Sequence, residues 1–569
     1  MSEHDIARRV AEDAAEVLAP EADLIAEFDM ASFGGSMVEV LNRARQRPGE
    51  FAEAGLRLGT TLTRIAQFMV ARSAGVSAAP PIPLSADKRF KDPTWEDNPG
   101  FAGLRQAYLA FRQFNDDLLD AGGGDPVSDG KARLMSGFLL DALAPTNFLA
   151  TNPAAMKRAF ETGGGSLVAG ARNFLDDLTN NGGRPSQVDT RSFELGKNMA
   201  ATPGKVVYKS DLMELIQYAP QTPKVRAIPM LMSPAWINKY YVMDLAPGRS
   251  FIEWAVQHGH TVFAISYRNP DEHMRGVRLD DYLIEGPRAA LDVMTDITGA
   301  DKINITGLCL GGALTAMLAA YLAKTGDDRI GSITLLNTLL DYSEPGVLGV
   351  FTDEKTVARM EHHMEAKGFL EASDMRTAFD MLRANDLIFS YVATNWLMGQ
   401  QPPAFDILAW NSDSTRLPAA MHSFYLRSLY LHNQLAKGEM ELAGQHLSLK
   451  EIKADTYVVS AVNDHIVPWT ASYKTIGLLG GQVRYVLSSG GHIAGIVNPP
   501  GPKAWHEVSE DGHGSAAQWR EGAKIIQGSW WENWADWAKQ RSGAQVKPPS
   551  IGSKRYPALG DAPGDYIHG

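Results

Sequence analysis

The sequence predicts an α/β fold, a mostly parallel sheet with helices on both faces, carrying a helical cap insertion and preceded by a helical N-terminal domain. Three observations carry this. From about residue 201, short and nearly continuous apolar runs alternate with helical periodicity, the pattern of strands buried on both sides. After Asp341 that alternation lapses into helical sequence rich in Met, Phe, Trp and Tyr until strands resume at Thr456. Before residue 200 the apolar spacing is helical.

Residues 1–80 form an Ala-rich helical segment and linker. Leu58, Leu62, Ile65 and Met69 are spaced to share one helix face, with Arg57 and Arg64 toward the other, and the face is expected to pack in a core. Ala78-Ala79-Pro80-Pro81-Ile82-Pro83 cannot continue a helix, because each proline lacks an amide donor and pushes its predecessor to extended backbone. Residues 81–200 read as a helical domain broken at Ala121-Gly122-Gly123-Gly124 and Gly163-Gly164-Gly165. Residues 201–341 supply strands at 205–208, 213–218, 228–232, 261–266, 302–306 and 332–336, with helices at 281–297 and 312–324. Residues 342–450 are read as a cap, since an insertion between strands of one sheet emerges at the strand ends, where such folds bind ligands. Residues 451–569 return to the core with strands at 456–461 and 483–487, then a packed helix around Trp530, Trp531, Trp534 and Trp537 and a tail.

Composition narrows the function. In 569 residues, 54 Lys and Arg face 66 Asp and Glu, a net charge of −12 that repels polyanions, so no nucleic-acid partner is expected. The start, Met1-Ser2-Glu3-His4-Asp5, lacks the basic-then-apolar pattern of a secretory signal, and a cytoplasmic location is expected. The longest apolar run, Ala313 to Ala323 with only Thr315 interrupting, is about half the roughly 20 residues of a membrane span. Cys309 is the single cysteine, so neither an internal disulfide nor a multi-cysteine zinc site can form within the chain. His258-Gly259-His260 has the alternate spacing of a metal pair but no evident third ligand, and no metal is expected.

Ile303 to Gly312 reads as strand, tight turn and helix around Gly307-Leu308-Cys309-Leu310-Gly311, the form of a nucleophile elbow with cysteine in place of serine. Glycines flank the nucleophile because side chains at 307 and 311 would strike neighbouring backbone. The sulfur then meets a helix N-terminus, whose amides and dipole stabilise an anion, and Leu310 would offer its backbone N–H to an oxyanion. An elbow needs a base and a carboxylate later in the chain. Asn463-Asp464-His465 follows one strand and Ser488-Ser489-Gly490-Gly491-His492 the next, so His465 and His492 compete for the base. His492 is preferred because a Gly490-Gly491 loop can swing it over the sulfur while Asp464 orients it.

Sulfur also narrows the substrate. A thiolate attacking an oxygen ester would exchange a stable bond for a more reactive thioester, whereas attack on a thioester is nearly isoenergetic and keeps the acyl group activated. Cys309 therefore suggests an acyl transferase that accepts coenzyme A thioesters and excludes water beneath an apolar cap.

With these residues in place the chain resembles the polyhydroxyalkanoate synthases, most closely the class I, short-chain type. The likeness rests on Asp87-Lys88-Arg89-Phe90, Asn147-Phe148-Leu149-Ala150-Thr151-Asn152-Pro153, Trp236-Ile237-Asn238-Lys239-Tyr240-Tyr241, Trp410-Asn411-Ser412-Asp413, Asp464-His465-Ile466-Val467-Pro468-Trp469 and Gly491-His492-Ile493-Ala494-Gly495. It departs at Ser233-Pro234-Ala235-Trp236 and at Leu382-Arg383-Ala384-Asn385-Asp386-Leu387-Ile388-Phe389, away from the triad. The resemblance implies an α/β-hydrolase-type core in which Cys309 carries the growing chain as a thioester and His492 activates it. Asp464 then either orients His492 or helps deprotonate the substrate 3-hydroxyl. It implies polymerisation of (R)-3-hydroxyacyl-CoA with release of coenzyme A and no bound cofactor. It also implies a second oxyanion donor in the Trp236-Ile237 loop, for which Ile237 is named, and cap roles for Trp410 and Tyr425. The implied partners are the growing polyester, a second copy in a homodimer, and the granule surface with its coat proteins. A cysteine-dependent hydrolase, thioesterase or polyester depolymerase, would share the fold and triad.

Overall fold

The computed structural model describes residues 30–83, 87–374, 381, 383–509 and 514–569. The acidic start and the first 29 residues of the N-terminal segment lie outside the described residues, as does Leu382. The chain divides into two compact units. The first comprises Met1–Asp189 and Asp374–Ala404, the second Thr190–Ser373 and Phe405–Gly569. Residues 342–450, expected as one insertion, thus contribute to both.

The first unit is helical: α1 Met30–Arg45, α2 Pro48–Ser73, α3 Pro99–Ala121, α4 Pro126–Ala142, α5 Pro153–Glu161 and α6 Gly165–Asn180. Prolines occupy the first turns of α2 to α5, where a missing N–H costs nothing, and Asn98, Asp125 and Asn152 cap three of them by accepting backbone N–H groups. In α2 Ile65 and Phe68 are buried and Leu58, Leu62 and Met69 half-buried, the packed face that the spacing predicts. Met69 lies so close to α3 that a Cβ at Gly103 would fall 2.2 Å from its sulfur. The proline segment is pinned: Ile82 N–H donates to buried Gln106 at 2.8 Å, and the Gln106 amide donates back to the Ile82 carbonyl at 3.1 Å.

In the second unit, eleven strands among the described residues form one sheet. In chain order they are β1 Gly204–Lys209, β2 Met213–Tyr218, β3 Met230–Ser233, β4 Val262–Tyr267, β5 Ile303–Leu308, β6 Ile330–Leu336, β7 Asp455–Ala461, β8 Val483–Ser488, β9 Trp505–Val508, β10 Lys524–Gln527 and β11 Gly560–Asp561. Their spatial order is β10-β9-β8-β7-β6-β5-β3-β4-β2-β1-β11. The block from β8 to β4 is parallel, and the pairs outside it are antiparallel. Helices α7 Phe251–Gln257, α8 Ala289–Thr298 and α9 Leu310–Thr325 are followed by α10 Asp406–Ser412, α11 Ala419–Tyr425 and α12 Trp530–Gln540.

The predicted strands of the parallel block are present, shifted by one or two residues. Strands β9, β10 and β11 lack the apolar runs by which the others were recognised: β10 is exposed along its length and β11 spans two residues. The helix expected over 281–297 is interrupted at Gly286 (φ −88°, ψ −115°), before Pro287, so that α8 begins only at Ala289. Helix α9, which carries the longest apolar run, is buried from Leu310 to Ala320. Among the described residues no helix is long and apolar enough to cross a membrane.

Candidate active site

Strand β5 ends at Leu308 and α9 begins at Leu310, leaving Cys309 alone to make the turn. It does so at φ 52°, ψ −116°, a left-handed conformation that side-chain-bearing residues rarely adopt and that costs of the order of 1–3 kcal/mol. The surroundings hold it there. Cys309 N–H donates to the Leu336 carbonyl on β6 at 2.8 Å, and its carbonyl accepts from Gly312 and Ala313 at 3.0 and 3.1 Å. The flanking glycines are required by space: a Cβ at Gly307 would lie 2.5 Å from the Gly312 Cα, and one at Gly311 would lie 2.2 Å from the Ser233 carbonyl oxygen. Strand β3 therefore ends against the first turn of α9, with Ser233 in register with Gly307, and the loop carrying Trp236 and Ile237 starts beside the elbow. Leu310 opens α9, where N–H groups have no partner within the helix.

His492 and Asp464 arrive from the ends of β8 and β7. The imidazole Nδ1 lies 2.7 Å from Asp464 Oδ2, and Asp464 Oδ1 accepts the backbone N–H groups of Ile466 and Val467, both at 2.9 Å. The Asp464 side chain is wholly buried. Burial alone would push the imidazole pKa down, but the Asp464 carboxylate and then the charge of the Cys309 sulfur hold it up at about 10. A carboxylate at Nδ1 fixes the tautomer and leaves Nε2 as the nitrogen available to the sulfur. Of the two histidines that competed for the base, His492 takes the Asp464 contact.

The His492 loop is braced. Asn337, buried and itself at φ 42° just past β6, donates its side-chain amide to the His492 carbonyl. Trp530 and Trp531 of α12 donate their indole N–H groups to the carbonyls of Gly495 and Ile496, both at 2.8 Å. Ser488 Oγ donates to the Gly495 carbonyl at 2.9 Å. The glycine at 490 serves close approach as well as conformation: a Cβ there would lie 3.0 to 3.2 Å from the backbone of residues 494 and 495, at a φ of +103°. The loop expected to swing is instead tied on several sides. Asn337 and the two indoles act on backbone far away in the sequence, so residue spacing carried no sign of them.

A cluster of aromatic rings lies within electrostatic reach of the sulfur. Tyr425 of α11 stands edge-on to Trp236 with centroids 5.9 Å apart, and Tyr430 packs between Tyr425 and Tyr342 at 5.5 and 4.8 Å. Burial raises the pKa of all three phenols, and the nearby Cys309 charge raises it further. Tyr425 is thus one of a group, and Tyr342 and Tyr430 are members that spacing alone did not single out. His422 packs on Tyr425 at 5.8 Å, and burial lowers its pKa to about 4, so it stays neutral. Trp410 is buried and donates its indole N–H to the Lys239 carbonyl at 2.8 Å. His258 is exposed, whereas His260 is buried with its ring 5.8 Å from that of Trp534.

A thiol beside an imidazole–carboxylate pair, on a strained turn at a helix N-terminus, can take up and hand on an acyl group. Residues 86–255 match the family model described as the N-terminus of poly-beta-hydroxybutyrate polymerase, and residues 234–499 match that of the alpha/beta hydrolase fold. A poly(3-hydroxyalkanoate) polymerase of Methylorubrum extorquens is 39% identical over 556 residues, covering 97% of this chain and 92% of its own. Poly(3-hydroxyalkanoate) polymerase 1 of Ectopseudomonas oleovorans is 40% identical over 85% of this chain and 87% of its own. A poly(3-hydroxyalkanoate) polymerase subunit of Cupriavidus necator is 41% identical over 84% of this chain and 83% of its own. Similarity of this extent, over both the helical region and the sheet that carries the elbow, means that the chain belongs to the poly(3-hydroxyalkanoate) polymerase family of acyl-transferring enzymes.

Proposed function

We propose that this enzyme polymerises short-chain (R)-3-hydroxyacyl-CoA, with 3-hydroxybutyryl-CoA as the preferred monomer, through a covalent thioester on Cys309. The observation that carries the reading is the meeting of Cys309, His492 and Asp464 at the C-terminal ends of β5, β8 and β7 of the parallel block. His492 Nε2 holds the Cys309 proton, the sulfur attacks the thioester carbonyl, and the carbon–sulfur bond to coenzyme A breaks. The leaving thiolate takes the proton from the imidazolium. The 3-hydroxyl of a second unit then attacks the acyl-cysteine carbonyl, its proton passing to the imidazole and on to the departing cysteine sulfur. An oxygen ester forms as the acyl-cysteine thioester breaks. Attack by Cys309 on the CoA thioester of the extended product restores the acyl-enzyme, so each added unit releases one coenzyme A.

The backbone N–H groups of Leu310 and Ile237 serve as oxyanion donors. Asp464 holds the ring and stabilises its charged form. The rings of Tyr342, Tyr425 and Tyr430 around the sulfur favour a small acyl side chain and a water-poor site. The reaction needs no bound cofactor and no metal. We further propose that the enzyme works in the cytoplasm as a homodimer at the surface of its polyester granules, where coat proteins meet it.

The test is incubation of the purified protein with (R)-3-hydroxybutyryl-CoA. The expected result is coenzyme A release matched by polymer. Release matched only by free 3-hydroxybutyrate would make the protein a thioesterase, and unchanged release by Cys309→Ala would remove the cysteine from the mechanism.

A further inference from the structure

The loop leaving β3 is gripped by side chains and backbone from distant parts of the second unit. Thr415 Oγ1 donates to the Trp236 carbonyl at 3.1 Å, and Trp410 donates to the Lys239 carbonyl. The Lys239 ammonium, its side chain only 8% exposed, pairs with Asp413 Oδ1 at 2.7 Å and donates to the Ile567 carbonyl at 2.6 Å. The other oxygen of Asp413 accepts the Tyr241 hydroxyl at 2.8 Å. The turn that supplies Ile567 is itself locked: Glu214, buried in β2, accepts the N–H groups of Asp565 and Tyr566 at 2.9 and 3.0 Å, and the Tyr566 hydroxyl donates to the Ser210 carbonyl at 2.6 Å.

The lysine is buried while Asp413 is half-exposed, and such an ion pair is weak evidence for stability, because desolvation and solvent screening offset much of its Coulomb attraction. What such a pair does supply is geometry: a lysine holding a carboxylate and a carbonyl in fixed directions cannot slide. The loop it holds carries Ile237. An oxyanion donor is effective only when it sits within hydrogen-bond distance of the developing charge, and small displacements forfeit much of its effect.

We infer that Lys239 and Asp413 are positioning residues for acyl transfer, with the Tyr566–His568 turn as their counter-anchor. They hold the Trp236–Ile237 loop in register with the elbow without touching substrate. This rests on the reading of Cys309 as the acyl carrier.

Three measurements on Lys239→Met, Asp413→Asn and a chain ending at Asp565 test it: kcat and KM for coenzyme A release from (R)-3-hydroxybutyryl-CoA, the rate of Cys309 alkylation by iodoacetamide, and the melting temperature. Alkylation requires the activated sulfur but forms no oxyanion. The expected result is a fall in kcat of about 10- to 100-fold, with KM changed less than about threefold and alkylation less than about twofold. An unchanged kcat overturns the inference, and so does a parallel loss of turnover and alkylation, which would mean general disorder. Should those variants fail to fold, Trp410→Phe removes a single hydrogen bond to the same loop. A several-fold loss of kcat with normal alkylation then supports the inference, and no loss overturns it. A wild-type enzyme that is alkylated at Cys309 but never acylated by the thioester would overturn the acyl-carrier reading, a result distinct from any change confined to the variants.

Discussion

The elbow and the loop facing it are built in opposite ways. Around Cys309 the geometry is local and made by backbone: one residue at φ 52°, glycines two residues to either side, a strand before and a helix after. The loop from Pro234 to Tyr241 has no comparable internal device. Its position comes from Trp410, Asp413, Thr415 and the Ile567 carbonyl, groups that lie 171 to 328 residues away in the chain from the residues they hold. A site of this kind joins a rigid half, which covalent geometry nearly dictates, to an adjustable half that depends on the rest of the unit being folded.

That contrast can be attacked from the elbow first. Gly311→Ala should be the most damaging change, because its Cβ would fall 2.2 and 2.4 Å from the backbone oxygens of Ser233 and Pro234, which cannot withdraw without pulling β3 from β5. A loss of about 3 kcal/mol or more is expected, read by chemical denaturation, together with loss of turnover. Cys309→Ala should separate chemistry from architecture, lowering coenzyme A release by at least about 10⁴-fold while leaving the unfolding free energy within about 1 kcal/mol of wild type, since the strained backbone is unchanged.

Asp464→Asn sharpens the comparison on the histidine side, with an expected kcat loss of roughly 10²- to 10⁴-fold. Its stability effect has a pH signature. Because the folded imidazole titrates at about 10, above its ordinary value of 6.5, the stabilisation from its charged form is complete below pH 6.5 and disappears as the pH rises through 10. Denaturation curves of wild type and variant should therefore be furthest apart near pH 6.5 and converge toward pH 10.

On the loop side the effects are smaller. Thr415→Val strips the Trp236 carbonyl of its hydroxyl donor inside a buried site, at a cost of about 1–3 kcal/mol. A several-fold drop in kcat should accompany it, visible in steady-state release. The mildest change is His422→Phe beneath Tyr425. Burial lowers the His422 pKa to about 4, so between pH 6.5 and 4 the unfolded chain binds a proton that the folded one refuses. Wild type should lose about 1 kcal/mol per pH unit across that interval on this account, and the variant should not.

These differences track what was legible beforehand. Strands β3 to β8 and helix α9 follow from apolar runs because a strand covered on both faces has nothing else to be made of. Cys309, Asp464 and His492 were readable because an elbow is a short sequence pattern and strand ends are where its partners must sit. The edge strands β10 and β11 escaped because exposed pairing leaves little hydrophobic record, and β9, paired on both sides, because the residues it buries are the polar His506 and Glu507. Asn337, Tyr342, Tyr430 and the indoles of Trp530 and Trp531 escaped because each acts through a contact with a segment distant in sequence. The Gly490-Gly491 pair was legible as a turn, but whether it moves depends on what it packs against.

The order of residues by itself determined the parallel core, the tight turn that presents a sulfur, and the pair of groups able to activate it, since all three depend on local periodicity or on the few backbone conformations a short segment can adopt. Only the tertiary structure decided which histidine takes the carboxylate, how firmly its loop is held, and that a lysine, an aspartate and the carbonyl of Ile567 converge on the opposing loop. Such contacts are chosen by the packing of many elements at once, and a side chain can meet any of several partners until the backbone has brought one of them within about 3 Å.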